Sequence, residues 1–102
     1  MPRKKAVLQF LSVPESVALY IFGSFLYIVK PNDIDLIIIY DNKIYPGSSI
    51  FKACQEILVG IKGRFHLPIH VTYLSYEEER TIKFVEKVGA QLIATSSSPY
   101  NH

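Results

Sequence analysis

The chain has 102 residues, 49% hydrophobic and 20% charged, with a formal net charge of +2. That length holds one domain and excludes a multi-domain machine, and so balanced a charge argues against a nucleic-acid partner or a polybasic membrane binder. The one cysteine, Cys54, and three scattered histidines exclude an internal disulfide and a structural zinc site, and suit a reducing, cytoplasmic setting.

The longest apolar stretch, residues 17–29, is broken by Gly23 and Ser24 and falls short of the ~18–20 residues that span a bilayer, so no membrane segment is expected. Arg3, Lys4 and Lys5 followed by an apolar run loosely imitate a secretory signal. Gln9 and Ser12 interrupt that run, and no small-residue cleavage site follows.

In chain order, residues 5–11 are expected to form a short helix ended by the Val13-Pro14 step, because the residue before proline is pushed out of the helical region. Residues 17–22 read as a buried strand stopped by Gly23-Ser24. Residues 33–40 contain the run Leu36-Ile37-Ile38-Ile39-Tyr40, which fits a strand buried on both faces at the centre of a sheet. Asp41-Asn42-Lys43 and Pro46-Gly47 are turn chemistry. Ser48 or Ser49 then caps a helix with Phe51, Cys54, Ile57, Leu58 and Ile61 along one stripe, expected to stop near Gly60 to Gly63.

Residues 67–74 alternate: Leu67, Ile69, Val71 and Tyr73 share one face, Pro68, His70 and Thr72 the other. Ser75-Tyr76-Glu77-Glu78 is a capping box opening a helix to about Lys87 that buries Ile82, Val85 and Val88. Leu92-Ile93 adds a short last strand, and residues 96–102 form a flexible polar tail beyond a single domain of residues 1–95. The order helix, strand, strand, helix, strand, helix describes an α/β fold, a small α+β sandwich of three to four strands in a mixed sheet with helices packed on one face.

Two features carry chemistry together. Asp33 and Asp35 lie two apart at the head of a strand, so their carboxylates share a face. Such a pair is tolerated where a cation compensates it, and hard carboxylate oxygens suit Mg²⁺ or Mn²⁺. Gly23 permits a tight turn and close backbone approach, and the Ser24 hydroxyl with nearby backbone N–H groups suits phosphate oxygens. Taken alone, Asp33-Ile34-Asp35 after Pro31-Asn32 is ordinary turn composition. Beside Gly23-Ser24 the pair reads as a metal site for phosphoryl chemistry.

The stretch Ile21-Phe22-Gly23-Ser24, a short loop, then Asp33-Ile34-Asp35-Leu36 resembles the nucleotidyltransferase fold family of DNA polymerase beta, most closely its minimal stand-alone members. The resemblance implies that Gly23 and Ser24 hold the triphosphate of ATP or another nucleoside triphosphate, joined by Lys30 as the first basic residue of the loop. It further implies that Asp33 and Asp35 ligate divalent metal and act in catalysis, and that a nucleoside monophosphate passes to a hydroxyl with release of pyrophosphate.

The chain departs from the family pattern twice. Phe25 stands where an arginine usually follows the Gly-Ser, which predicts weaker triphosphate binding. The slot of the usual third carboxylate falls on His70, a poor Mg²⁺ ligand but an acceptable one for Mn²⁺ and a general base near neutral pH.

Other candidates have plainer readings alongside. His70 alone is an ordinary half-exposed strand residue, and His66 a loop residue beside Arg64. Glu77 is capping-box charge or, swung back, a replacement for the absent carboxylate. Cys54 is packing, and Tyr27 stacks on a base or packs on a partner.

The resemblance therefore implies a metal-dependent nucleotidyltransferase moving a nucleoside monophosphate, AMP above all, onto a partner protein, as toxin-neutralising antitoxins of this size do. So small a chain is expected to complete its site with a protein partner or a homo-oligomer. The alternative is a catalytically impaired module that keeps the fold and acts as a non-enzymatic binding partner.

Overall fold

The computed structural model describes residues 11–96. The helix expected at residues 5–11 and the polar tail lie outside the described residues, apart from Leu11 and Ser96. Four strands, β1 (Val17–Phe22), β2 (Ile34–Tyr40), β3 (Ile69–Ser75) and β4 (Gln91–Thr95), form one sheet in the order β3-β2-β1-β4. β1 runs antiparallel to both β2 and β4, whereas β2 and β3 are parallel. The fold is thus α/β with a mixed sheet.

The two central strands are apolar on both faces. Val17, Leu19 and Ile21 of β1 and Ile34, Leu36 and Ile38 of β2 point to one side, where each is at most 1% exposed. Ala18, Tyr20, Phe22, Ile37 and Ile39 point to the other. A parallel neighbour can be reached only by a crossover, supplied by the helix Ser49–Phe65 between β2 and β3. That helix (α2; α1 is the single turn Ser24–Tyr27) lays Ile50, Cys54, Ile57 and Ile61 on the first face at helical spacing, joined by Phe25 and Leu26 from α1.

The second face is covered as well, which corrects the expectation of helices on one face only. The chain after β3 forms α3 (Tyr76–Ile82) and α4 (Phe84–Val88), and Phe84, Val85 and Val88 close over Ile37, Ile39 and Leu74. Phe84 meets Phe22 edge-on, with ring centroids 5.8 Å apart. A sheet apolar on both sides cannot leave one side to water.

Several local expectations also change. α2 continues through Gly60 and Gly63 to Phe65 and ends on His66, whose left-handed backbone (φ 57°) lets its N–H donate to the Lys62 carbonyl. Burial of Ile61 between the glycines outweighs their helix penalty of ~1 kcal/mol each. The buried stripe starts at Ile50, leaving Phe51 half exposed with its ring edge-on to Tyr73 at 4.6 Å.

The capping box forms as read: the Glu78 N–H donates to Ser75 Oγ at 3.1 Å, and the Ser75 N–H to Glu78 Oε1 at 2.9 Å. Its helix nevertheless breaks at Lys83 (φ 56°) and leaves Ile82 exposed. The Glu79 carboxylate accepts from the Phe84 and Val85 N–H groups and so restarts the chain as α4. β3 begins at Ile69 rather than residue 67, and β4 extends the expected two-residue strand on both sides.

Candidate functional site

The antiparallel register of β1 and β2 sets Phe22 opposite Asp35, and the parallel register of β2 and β3 sets Asp35 opposite His70. One cross-sheet row on the second face therefore carries Phe22, Asp35 and His70. Asp33 lies just before β2, its Oδ2 3.3 Å from His70 Nε2. The structure thus brings Asp33, Asp35 and His70 together at one end of the sheet.

Gly23 leaves β1 with φ 85° and ψ −162°, a conformation that only glycine adopts readily. A Cβ at this position would lie 2.7 Å from Asp35 Oδ2. The carboxylate is seated against the bare Cα of the glycine, so Gly23 is required by both its backbone and its neighbour. The next residue, Ser24, opens α1, a turn held by the Leu26 N–H to the Gly23 carbonyl (3.1 Å) and the Ile28 N–H to the Ser24 carbonyl (2.9 Å). Among the described residues no hydrogen bond engages the Ser24 hydroxyl.

Burial raises the Asp35 pKa above the usual carboxylate value; repulsion from Asp33 raises it further, and His70 opposes both. The His70–Asp33 pair is open to water, with the side chains 62% and 35% exposed. Such a pair holds weakly and yields readily to a competing ligand.

Among the described residues no group of three or more His, Cys, Asp and Glu side chains gathers to hold a metal ion. Mg²⁺ is commonly held by one or two carboxylates, with waters and substrate phosphates filling its shell. Two carboxylates close enough to repel one another fit that donor chemistry, because a bound cation offsets the repulsion.

Lys30 is exposed in the loop before β2, and no ion pair or hydrogen bond among the described residues brings it to the carboxylates. Glu77 does not reach the site. It follows β3, whereas His70 lies near the start of that strand, and at ~3.3 Å per residue the separation is roughly 17 Å. His66 serves as the α2 C-cap. Cys54 is fully buried, and burial pushes its thiol up to about 11, the behaviour of a packing residue.

Two neighbours of the site were missed in the sequence. Phe22 is one, although two-residue alternation back from Gly23 places it on the Tyr20 face. Gln91, whose Nε2 donates to Tyr27 Oη at 3.4 Å and ties β4 to α1, carried no sequence signal. Among the described residues no helix is long and apolar enough to cross a membrane. No protein-family model, no curated protein and no solved structure matches this chain.

Proposed function

We propose that the chain is a minimal nucleotidyltransferase of the polymerase beta-like kind. It takes a nucleoside triphosphate, ATP above all, and moves the nucleoside monophosphate onto a hydroxyl of a partner protein, as toxin-neutralising antitoxins do. The observation that carries this reading is the seating of the Asp35 carboxylate on the Cα of Gly23, which joins the Gly-Ser turn and the acidic pair into one place. Asp33 and Asp35 would hold Mg²⁺ or Mn²⁺, which when bound neutralises charge on the phosphates.

The chain's own residues have distinct tasks. Gly23 lets the phosphates approach the backbone, and the Ser24 hydroxyl donates to a phosphate oxygen. The acceptor hydroxyl attacks the α-phosphorus, its proton passes to His70 Nε2, and the bond to pyrophosphate breaks. His70 is free to take this part because its contact with Asp33 is exposed and weak.

A second reading is favoured by the same histidine. With His70 in place of a third carboxylate, the chain is a nucleotidyltransferase-fold module that binds a partner without turnover. Incubation with α-labelled ATP, Mg²⁺ or Mn²⁺ and the product of a neighbouring gene separates the two. Label on that product that disappears in Asp33→Ala supports the enzyme. No label with either metal, alongside unchanged partner binding, supports the module. Calorimetry of His70→Asp adds a direct check, with tighter Mg²⁺ binding expected.

A further inference from the structure

β3 is an outer strand of the sheet, and among the described residues no strand pairs with its free side. From Ile69 to Ser75 it carries no Asp, Glu, Lys or Arg, no proline and no bulge in its pairing with β2. The strand itself therefore lacks the charges, proline and bulges by which natural sheets stop their edges from pairing. Beside it runs an open groove of about 320 Å³ lined by Phe51, Leu58, Val59, Lys62, Ile69 and Val71. α2 forms the wall and runs antiparallel to β3, since Phe51 packs on Tyr73 at one end and Lys62 lies with Ile69 at the other. Phe51 and Val59 stay more than half exposed. An apolar wall next to an open row of backbone donors and acceptors fits an added strand with apolar residues at alternate positions.

The charge pattern selects the strand. α2 ends beside the start of β3 with Lys62 and Arg64 in its last turn, whereas α3 opens beyond the finish of β3 with Glu77, Glu78 and Glu79. The edge is thus basic at one end and acidic at the other. A second β3 laid antiparallel brings the basic end of each copy to the acidic end of the other. Glu78 is occupied by the capping box and Glu79 by the α4 amides, so Glu77 is left to meet Lys62. β3 also has the required alternation, with Ile69, Val71 and Tyr73 on the α2 side.

We propose that the chain forms a two-fold homodimer by antiparallel pairing of β3 with β3 of a second copy. One symmetric contact covers both open edges and both grooves. A contact confined to one edge strand and one groove belongs with the smallest specific interfaces, below ~1,200 Å² in total, so dissociation in the micromolar range is expected. The inference does not depend on the nucleotidyl-transfer reading; if that reading also holds, His70 on β3 sets the two acidic sites on either side of the dyad.

Sedimentation equilibrium from about 5 to 200 µM is expected to show a monomer–dimer transition, with β3 amide exchange slowing as concentration rises. Val59→Arg, at a position 64% exposed and so harmless to folding, is expected to weaken the dimer about tenfold or more. Lys62→Glu and Glu77→Lys are each expected to weaken it about fivefold, and the double reversal to return within about threefold of wild type. Failure of that restoration, or a dimer indifferent to Val59→Arg, overturns the proposal. So does a wild-type monomer across the range; if its β3 amides exchange slowly, the edge is covered from within the chain.

Discussion

The two faces of the sheet are made from alternate residues of the same strands, yet they carry different loads. On the α2 face, Leu19, Ile21, Leu36 and Ile38 are shut from water under a long helix. On the other, Ile37, Ile39 and Leu74 lie under the short helix α4, with half-buried aromatics around them. Asp35 and His70 belong to this thinner face, at its open end. Stability is concentrated where packing is deep, and titratable groups stand where water and ligands can reach them. Two-residue alternation lets one strand serve both purposes.

Truncation tests this contrast most strongly. Leu36→Ala, in the deep layer, is expected to cost about 4 kcal/mol in denaturant unfolding, whereas Phe84→Ala on the thin face should cost only about 1–2 kcal/mol. Equal losses would mean that the second face holds the fold as firmly as the first.

Gly23→Ala probes the join between fold and site. A side chain at φ 85° is expected to cost about 2 kcal/mol, and its Cβ must push the Asp35 carboxylate aside, so the Mg²⁺ binding proposed for Asp33 and Asp35, measured by calorimetry, should fall together with stability.

Smaller effects run in the opposite direction. Gly63→Ala in α2, where an added Cβ meets nothing within 4 Å, is expected to stabilise by about 0.5–1 kcal/mol in the same unfolding assay.

Asp35→Asn is expected to raise Tm at neutral pH by on the order of 1–3 °C while removing the metal binding proposed for the acidic pair. The sign follows from the raised pKa: the folded state favours the protonated carboxyl, so ionisation of Asp35 weakens the fold as pH rises through its folded-state value. The advantage of the asparagine variant should therefore shrink on acidification. A variant less stable than wild type at pH 7 would show that the ionised carboxylate supports the fold.

Much of this was legible in the residues themselves. The apolar runs of β1 and β2, the alternation of β3 and the Ser75–Glu78 capping box are local patterns with local causes. The meeting of Gly23 with Asp35 could be anticipated because two strands joined by a short loop bring their adjoining ends together. The rest depended on tertiary context. Nothing in Thr81-Ile82-Lys83-Phe84 signals a helix break; it arises because Phe84 is drawn onto Phe22 while Glu79 satisfies the freed amides. Gly60 and Gly63 look like a stop and are not one, since the buried Ile61 between them holds the helix.

The Ser96 hydroxyl has a consequence for the order of folding events. It accepts the N–H groups of Ser16 at 2.7 Å and Val17 at 3.3 Å, and the Ser96 N–H donates to the Val17 carbonyl. This seam joins residues eighty positions apart, so its loop-closure entropy is among the largest in the chain. β4 is thus expected to dock last and leave first, and loosening the seam with Ser96→Ala should quicken unfolding while leaving the refolding rate unchanged.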